Sequence, residues 1–241
     1  MIYILLPAYN EEKNLKRIFK KIEKICQNKL NISVVLVDDC SKDNTELLAK
    51  NKYKFKLIYV IHKKNKGLSI TMETGFNYIL KKAKEKDIIV TLDSDNTHPI
   101  SIIPRMIKKI SSGNDIVIAS RFVDKSKING LTFWRHLLSI GAKYLFKLFY
   151  SYKNLNDYTC NFRAYKFELI KELLKNKKFF KNEDFNIAAK IILFLTNKYK
   201  NLNLLEVPFT LSYDYKIGKS KMKLAKTIGL TFRLIFLRKY K

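Results

Sequence analysis

Residues 88–99 read Ile-Ile-Val-Thr-Leu-Asp-Ser-Asp-Asn-Thr-His-Pro. An apolar run rich in β-branched residues predicts a strand buried on both faces, and it stops at Asp93-Ser94-Asp95. The same pattern recurs on either side. Tyr3 to Leu6 runs into Pro7-Ala8-Tyr9-Asn10-Glu11, Ser33 to Val37 into Asp38-Asp39, and Asp115 to Ala119 into Ser120-Arg121, while Leu57 to Ile61 is a further strand. Helical spacing fills the intervals: Glu12 to Cys26 with Leu15, Ile18, Phe19, Ile22 and Ile25 on one face, then Thr45 to Asn51, Gly67 to Lys84 and Pro99 to Ile110. Alternating strands and helices predict an α/β fold, a mostly parallel sheet with helices on both faces. In such sheets ligands collect outside the carboxyl ends of the strands, where the polar residues of this chain fall.

Beyond Gly130 the helical stretches lengthen, over Trp134 to Tyr152 and Asn182 to Asn197, with short strands at Leu204 to Val207 and Phe209 to Tyr213. No repeat and no Gly/Ser/Pro-rich linker interrupts the chain. Residues 1–215 are therefore expected to form one domain and 216–241 a basic, partly amphipathic C-terminal helix.

The chain has 241 residues, 47% of them hydrophobic, enough for a substantial core, and its seven Gly and four Pro exclude collagen-like and low-complexity classes. Cys26, Cys40 and Cys160 are odd in number and form no C-x-x-C pair, so neither a disulfide framework nor a structural zinc site is expected. No signal-peptide pattern opens the sequence, and no window approaches the ~18 apolar residues of a spanning helix. A cytoplasmic setting is the expectation.

The formal charge is +27, from 48 Lys+Arg against 21 Asp+Glu, but only seven of the basic residues are Arg. A diffuse Lys excess is weak evidence for nucleic acid, and none is expected as a partner. The asymmetry lies at the end: after Asp214 there are nine positive charges and no negative one. Leu224, Ala225, Ile228, Phe232, Ile235 and Phe236 share a helical sector, with Lys223, Lys226, Arg233 and Arg238 mostly outside it. This predicts a helix lying on an anionic membrane surface, with docking on a membrane-protein partner or on the protein's own core as the alternatives.

Two carboxylates at one strand end, Asp93 and Asp95, suit a hard divalent cation completed by substrate phosphates. A turn bonded to its own backbone is the competing reading. Asp38-Asp39 offers acceptors for ribose hydroxyls or a base edge, or else a helix cap. Tyr9 is placed to stack on a base or to cover the sheet. Arg121, Arg135 and Arg163 stand out in a Lys-rich chain as candidate forks for phosphate, with surface ion pairs as the alternative.

Taken in order, Leu-Pro-Ala-Tyr-Asn-Glu-Glu at 6–12, Val-Asp-Asp-Cys-Ser-Lys-Asp-Asn-Thr at 37–45, Lys-Asn-Lys-Gly-Leu at 64–68 and Leu-Asp-Ser-Asp-Asn-Thr-His-Pro at 92–99 resemble the family 2 inverting glycosyltransferases with a GT-A (Rossmann-like) fold. Ala-Ser-Arg at 119–121, Trp134-Arg135, the run from Asp157 to Arg163, Glu206-Val-Pro208 and Gly218-Lys-Ser-Lys221 are most similar to the dolichol-phosphate mannose synthase and polyprenyl-phosphate hexosyltransferase branch. The resemblance implies a nucleotide-sugar donor, a GDP- or UDP-hexose, contacted by Pro7, Tyr9, Glu11, Val37, Asp39 and Ser94. It implies Mg²⁺ or Mn²⁺ on Asp93 and Asp95, phosphate contacts from Arg121 and Lys221, and Arg135 beside the phosphate of a polyprenyl acceptor. The enzyme would then sit peripherally at the inner face of a membrane. In three places the chain departs from the branch: Cys40 and Cys160 stand where Gly is usual, and Tyr215, followed by Lys216, stands where Arg is usual.

A lipid phosphate is already anionic and needs little general-base help to attack the anomeric carbon, whereas a sugar hydroxyl needs a base. Glu183-Asp184 resembles the acidic pair that supplies it elsewhere in the superfamily, and a helix N-terminus complementing its dipole is the other reading. A transferase acting on a glycan hydroxyl through Asp184 is thus the alternative expectation.

Overall fold

A computed structural model describes residues 1–27, 30–176, 178–181, 186–218 and 224–236. Its core is a seven-stranded sheet built from β1 (Ile2–Ala8), β2 (Ile32–Asp38), β3 (Lys56–Ile61), β4 (Ile88–Thr91), β5 (Ile116–Ser120), β7 (Arg163–Lys166) and β8 (Leu204–Pro208), in the order β3-β2-β1-β4-β7-β5-β8. All strands run parallel except β7, which is antiparallel to both neighbours. A small parallel pair, β6 (Lys127–Asn129) with β9 (Thr210–Ser212), lies apart from it.

Every residue of β1 and β2 is buried. The period of two sends Tyr3, Leu5, Val35 and Val37 to one face and Ile4, Leu6, Val34 and Leu36 to the other. The first face is covered by α3 (Leu68–Leu80), α6 (Phe167–Leu174) and α7 (Ile187–Lys198), and the second by α1 (Glu12–Cys26) and α4 (Ile103–Ser111). α1 meets the sheet through the Leu15, Ile18, Phe19, Ile22 and Ile25 stripe read in the sequence. In α3, Gly75 lies so close to β1 that a Cβ there would stand 2.1 Å from Leu5 Cδ1, which explains a glycine inside a helix. The short α2 (Thr45–Ala49) flanks α1.

Two long elements complete the molecule. α5 (Phe133–Phe149) buries Phe146 but leaves Phe133, Trp134 and Leu148 more than 70% exposed. α8 (Leu224–Phe236) docks its C-terminal end on the domain: Leu234 and Ile235 join the core, and Tyr150 donates its hydroxyl to their carbonyls at 3.2 and 3.4 Å. The apolar sector expected to face lipid is therefore divided, with Ile235 in the core and Phe232 and Phe236 facing out. Among the described residues, no helix is long and apolar enough to cross a membrane.

β6, β7 and α6 do not stand out in the sequence. Arg163 opens β7 yet is fully buried, donating to the carbonyls of Ala188 at 2.6 Å and Tyr158 at 2.7 Å. This corrects its reading as a rim residue for anions, because the strand it belongs to turns it inward.

Candidate active site

Parallel register places the carboxyl ends of β1, β2, β4 and β5 along one edge, Ala8 opposite Asp38 and Leu5 opposite Thr91. The loops that leave this edge, together with α5 and α8, enclose a groove of about 1640 Å³. Pro7, Tyr9, Glu11, Asp39, Asp93, Ser94, Asp95, Arg121 and Arg135 all line it, so most of the residues singled out in the sequence share one space. Val37 does not: it is fully buried on the inward face of β2, so its side chain cannot reach a ligand in the groove. Asp184 and Lys221 lie outside the described residues.

At the β2 end, the Asp39 carboxylate is the anchor of the 62–67 loop. It accepts the backbone N–H groups of Lys66 and Gly67, each at 2.8 Å, and pairs with His62 Nδ1 at 2.7 Å. His62 Nε2 in turn lies 2.9 Å from Thr74 Oγ1. Asp38 is turned away from the groove lining, holding Ser41 N and the Tyr59 hydroxyl at 2.8 and 2.6 Å. Cys40 adopts φ +66°, the left-handed conformation for which the branch's usual glycine is suited, whereas Cys160 has no positive φ and sits buried with its N–H on Asp157. Burial pushes the Cys160 thiol up to about 12.

At the β4 end the two carboxylates differ. Burial raises the Asp93 carboxyl above the usual range, with Asn161 Nδ2 donating to it at 3.1 Å. Burial is the largest single influence on Asp95 too, but the Lys216 ammonium, His98 and the hydrogen bonds from Lys216 and Thr97 together outweigh it and hold its carboxyl below that range. Lys216 Nζ is 2.7 Å from Asp95 Oδ2, and Thr97 donates its hydroxyl to Oδ1 at 2.7 Å. Asn161 Oδ1 and Ser94 Oγ are buried on the groove wall without a hydrogen-bond partner. Two hard carboxylate donors beside unsatisfied oxygens fit a divalent cation that completes its shell from a diphosphate and water. Among the described residues no third His, Cys, Asp or Glu joins them in a cluster that could hold a metal.

At the β5 end, Arg121 is held by Asp157. Its Nε and Nη2 reach the two carboxylate oxygens at 2.8 and 2.7 Å, and Nη2 also donates to Thr159 Oγ1 at 2.6 Å. Glu206, from β8, accepts the N–H groups of Asn156 and Asp157 at 2.9 and 2.6 Å and so fixes the loop that carries the aspartate. Arg121, a candidate phosphate contact, lines the groove with much of its fork already committed to Asp157. The clamp residues Asp157 and Glu206, and the Asn161 and Lys216 partners of the acidic pair, were not assigned these roles from sequence. Their signal lay only in the later motifs, whose residues lie far along the chain from those they contact.

A mostly parallel sheet with one reversed strand and an acidic pair at a strand end defines the GT-A class of glycosyltransferases. The chain belongs to Glycosyl transferase family 2, whose profile matches residues 3–174. It is 33% identical over 239 residues to the dolichol-phosphate mannosyltransferase of Pyrococcus furiosus, covering 98% of this chain and 62% of that protein. It is 28% identical over 240 residues to the UDP-N-acetylglucosamine–dolichyl-phosphate N-acetylglucosaminyltransferase of Methanococcus voltae, covering 91% of this chain and 89% of that one. In architecture it is similar to glucosyl-3-phosphoglycerate synthase from Mycobacterium tuberculosis, crystallised with Mn²⁺, UDP-glucose and phosphoglyceric acid, with a TM-score of 0.67 at 16% identity over 98% of this chain and 77% of that one.

Proposed function

We propose that this glycosyltransferase moves a hexose from a GDP- or UDP-sugar to a polyprenyl phosphate, with inversion and without a covalent intermediate. The carrying observation is the composition of this groove. Its Asp93–Asp95 end suits the donor diphosphate, Arg121 and Arg135 supply cations for a second anion, and Leu137, Leu138, Leu230 and Phe232 continue it as an apolar wall. An acceptor with an anionic head and an apolar tail fits that order. Both relatives named above carry a dolichol or dolichyl phosphate in their names, which supports the same acceptor class, while their different sugars leave mannose, glucose and N-acetylhexosamine donors to be told apart by experiment.

When bound by Asp93 and Asp95, Mg²⁺ or Mn²⁺ supplies neutralisation of the departing nucleoside diphosphate. The protein's own part is positional. Asp39 holds the 62–67 loop against the donor end, Asp157 sets the Arg121 guanidinium in one orientation, and the exposed apolar wall offers the lipid tail a surface to lie along. Because the acceptor phosphate is anionic at neutral pH, no side chain has to remove a proton.

The exposed Phe133, Trp134 and Leu148 of α5 and the outward Phe232 and Phe236 of α8, with Lys143, Lys147, Lys226 and Arg233 on the same two helices, support peripheral attachment to an anionic membrane surface. Phe149 and Phe236 meet edge to face, 5.3 Å between centroids, which joins the two helices into one surface.

Thermal-shift measurements with Mn²⁺ and a panel of GDP- and UDP-hexoses test the donor half, since a ligand that binds only the folded chain raises the melting point. One donor class should stabilise the protein, and no shift with any nucleotide sugar would contradict the assignment. Asp184→Asn should retain transfer to a lipid phosphate; its complete loss would favour a hydroxyl acceptor.

A further inference from the structure

Lys216 is held in place by its neighbours. The Tyr215 carbonyl accepts Asn96 Nδ2 at 3.1 Å and Arg17 Nη1 at 3.4 Å, and Ile217 exchanges two hydrogen bonds with the Asn14 side chain, at 3.0 and 3.1 Å. With the backbone tied on both sides, alternate side chains diverge. Tyr215 points outward, 56% exposed, its ring 5.4 Å from Lys21 Nζ. Lys216 points into the groove and ends on Asp95 Oδ2, at 2.7 Å, with both side chains less than one-fifth exposed.

Both oxygens of Asp95 are therefore already engaged. Oδ1 receives the N–H and hydroxyl of Thr97, a neutral partner two residues away, and Oδ2 receives an ammonium from a distant segment. A divalent cation cannot share Oδ2 with an ammonium in contact, because two positive charges at that separation repel strongly in a partly buried site. The flexible four-carbon stem of lysine lets the ammonium leave while the backbone stays fixed, and the nearest new anion would be the diphosphate that accompanies the metal.

We propose that Lys216 is a tethered counter-ion that occupies Asp95 before ligands arrive, is displaced from it by the divalent cation, and is handed to the donor diphosphate. The proposal rests on the reading of Asp93 and Asp95 as the cation-holding pair of a nucleotide-sugar transferase. It gives the departure from Arg to Tyr215-Lys216 a physical consequence: one residue serves two anions in turn, which a side chain committed only to phosphate would not do.

The test is a titration of Mn²⁺ alone against the full chain, followed by the electron paramagnetic resonance signal of the free ion. Lys216→Met should bind Mn²⁺ about tenfold more tightly than wild type, the factor by which a pair closed ~90% of the time masks its site. Lys216→Arg should stay near wild type, and in an Asp95→Asn background Lys216→Met should change nothing. With saturating Mn²⁺, the same Lys216→Met variant should bind UDP or GDP several-fold more weakly. Opposite signs in the two measurements are the signature, since loss of a merely structural ion pair would not tighten metal binding. Equal or weaker Mn²⁺ affinity in Lys216→Met overturns the masking, and unchanged diphosphate affinity overturns the handover. If wild type with Mn²⁺ binds neither diphosphate, the transferase reading fails, and the metal-only titration still decides the masking.

Discussion

Asp157 shows how much one residue of this site does. Fully buried, it grips Arg121 through both oxygens and accepts backbone N–H groups from Arg121 and Cys160. Burial works against its charge, but the Arg121 guanidinium and those hydrogen bonds win and hold its carboxyl below the usual range. Asp157→Asn leaves Arg121, whose side chain is 14% exposed on the groove wall, without its counter-charge and should cost about 3 kcal/mol of stability, measured by urea unfolding. A folded-state pKa below the unfolded value means the contribution is complete above pH ~4 and is lost as pH falls through the folded value. Stability should therefore drop on acidification below pH ~4 in wild type, and less steeply in Asp157→Asn. Cys40, at φ +66°, is a second local test: Cys40→Gly should stabilise the fold by about 0.5–1 kcal/mol, the left-handed strain relieved less the added entropy of the unfolded chain.

Elements were legible where period and burial coincide. The strands at β1, β2, β4 and β5 and the stripe of α1 follow directly from apolar runs and 3.6-residue spacing, and so does the rim on which Pro7, Tyr9, Asp39 and Asp93 meet. β7 escaped because its pattern, Arg163-Ala-Tyr-Lys, begins with a charge whose burial depends on the carbonyls of Tyr158, in the preceding loop, and Ala188, 25 residues further on. The partners of the acidic pair escaped for the same reason, Lys216 reaching Asp95 across 121 positions. α8 was legible as a helix but not in its facing, because Leu234 and Ile235 are as apolar as Phe232 and their packing into the core, with Tyr150 on their carbonyls, is a tertiary contact. The two faces should separate by mutation. Ile235→Ala should lower stability by about 2–4 kcal/mol, while Phe232→Ala should leave the melting temperature nearly unchanged and weaken sedimentation with anionic vesicles.

At the scale of the whole molecule, the +27 charge resolves into parts with different meanings. Most of the lysines are spread over the surface, a few cations enter the groove, and Lys226 and Arg233 ride on the helix beside exposed aromatic residues. One groove joins the acidic pair, the cations and the apolar wall and is bounded by α5 and α8, which carry exposed aromatic residues; under the proposed function a lipid-borne acceptor remains partly in its membrane while its phosphate reaches the sugar. The most direct test is transfer of labelled hexose, with Mn²⁺, to polyprenyl phosphate in vesicles and, in parallel, to neutral oligosaccharides. The lipid phosphate alone should become labelled, and Asp95→Ala should reduce that transfer at least ~100-fold. Labelling of the oligosaccharide in its place, or full transfer by Asp95→Ala, would contradict the account.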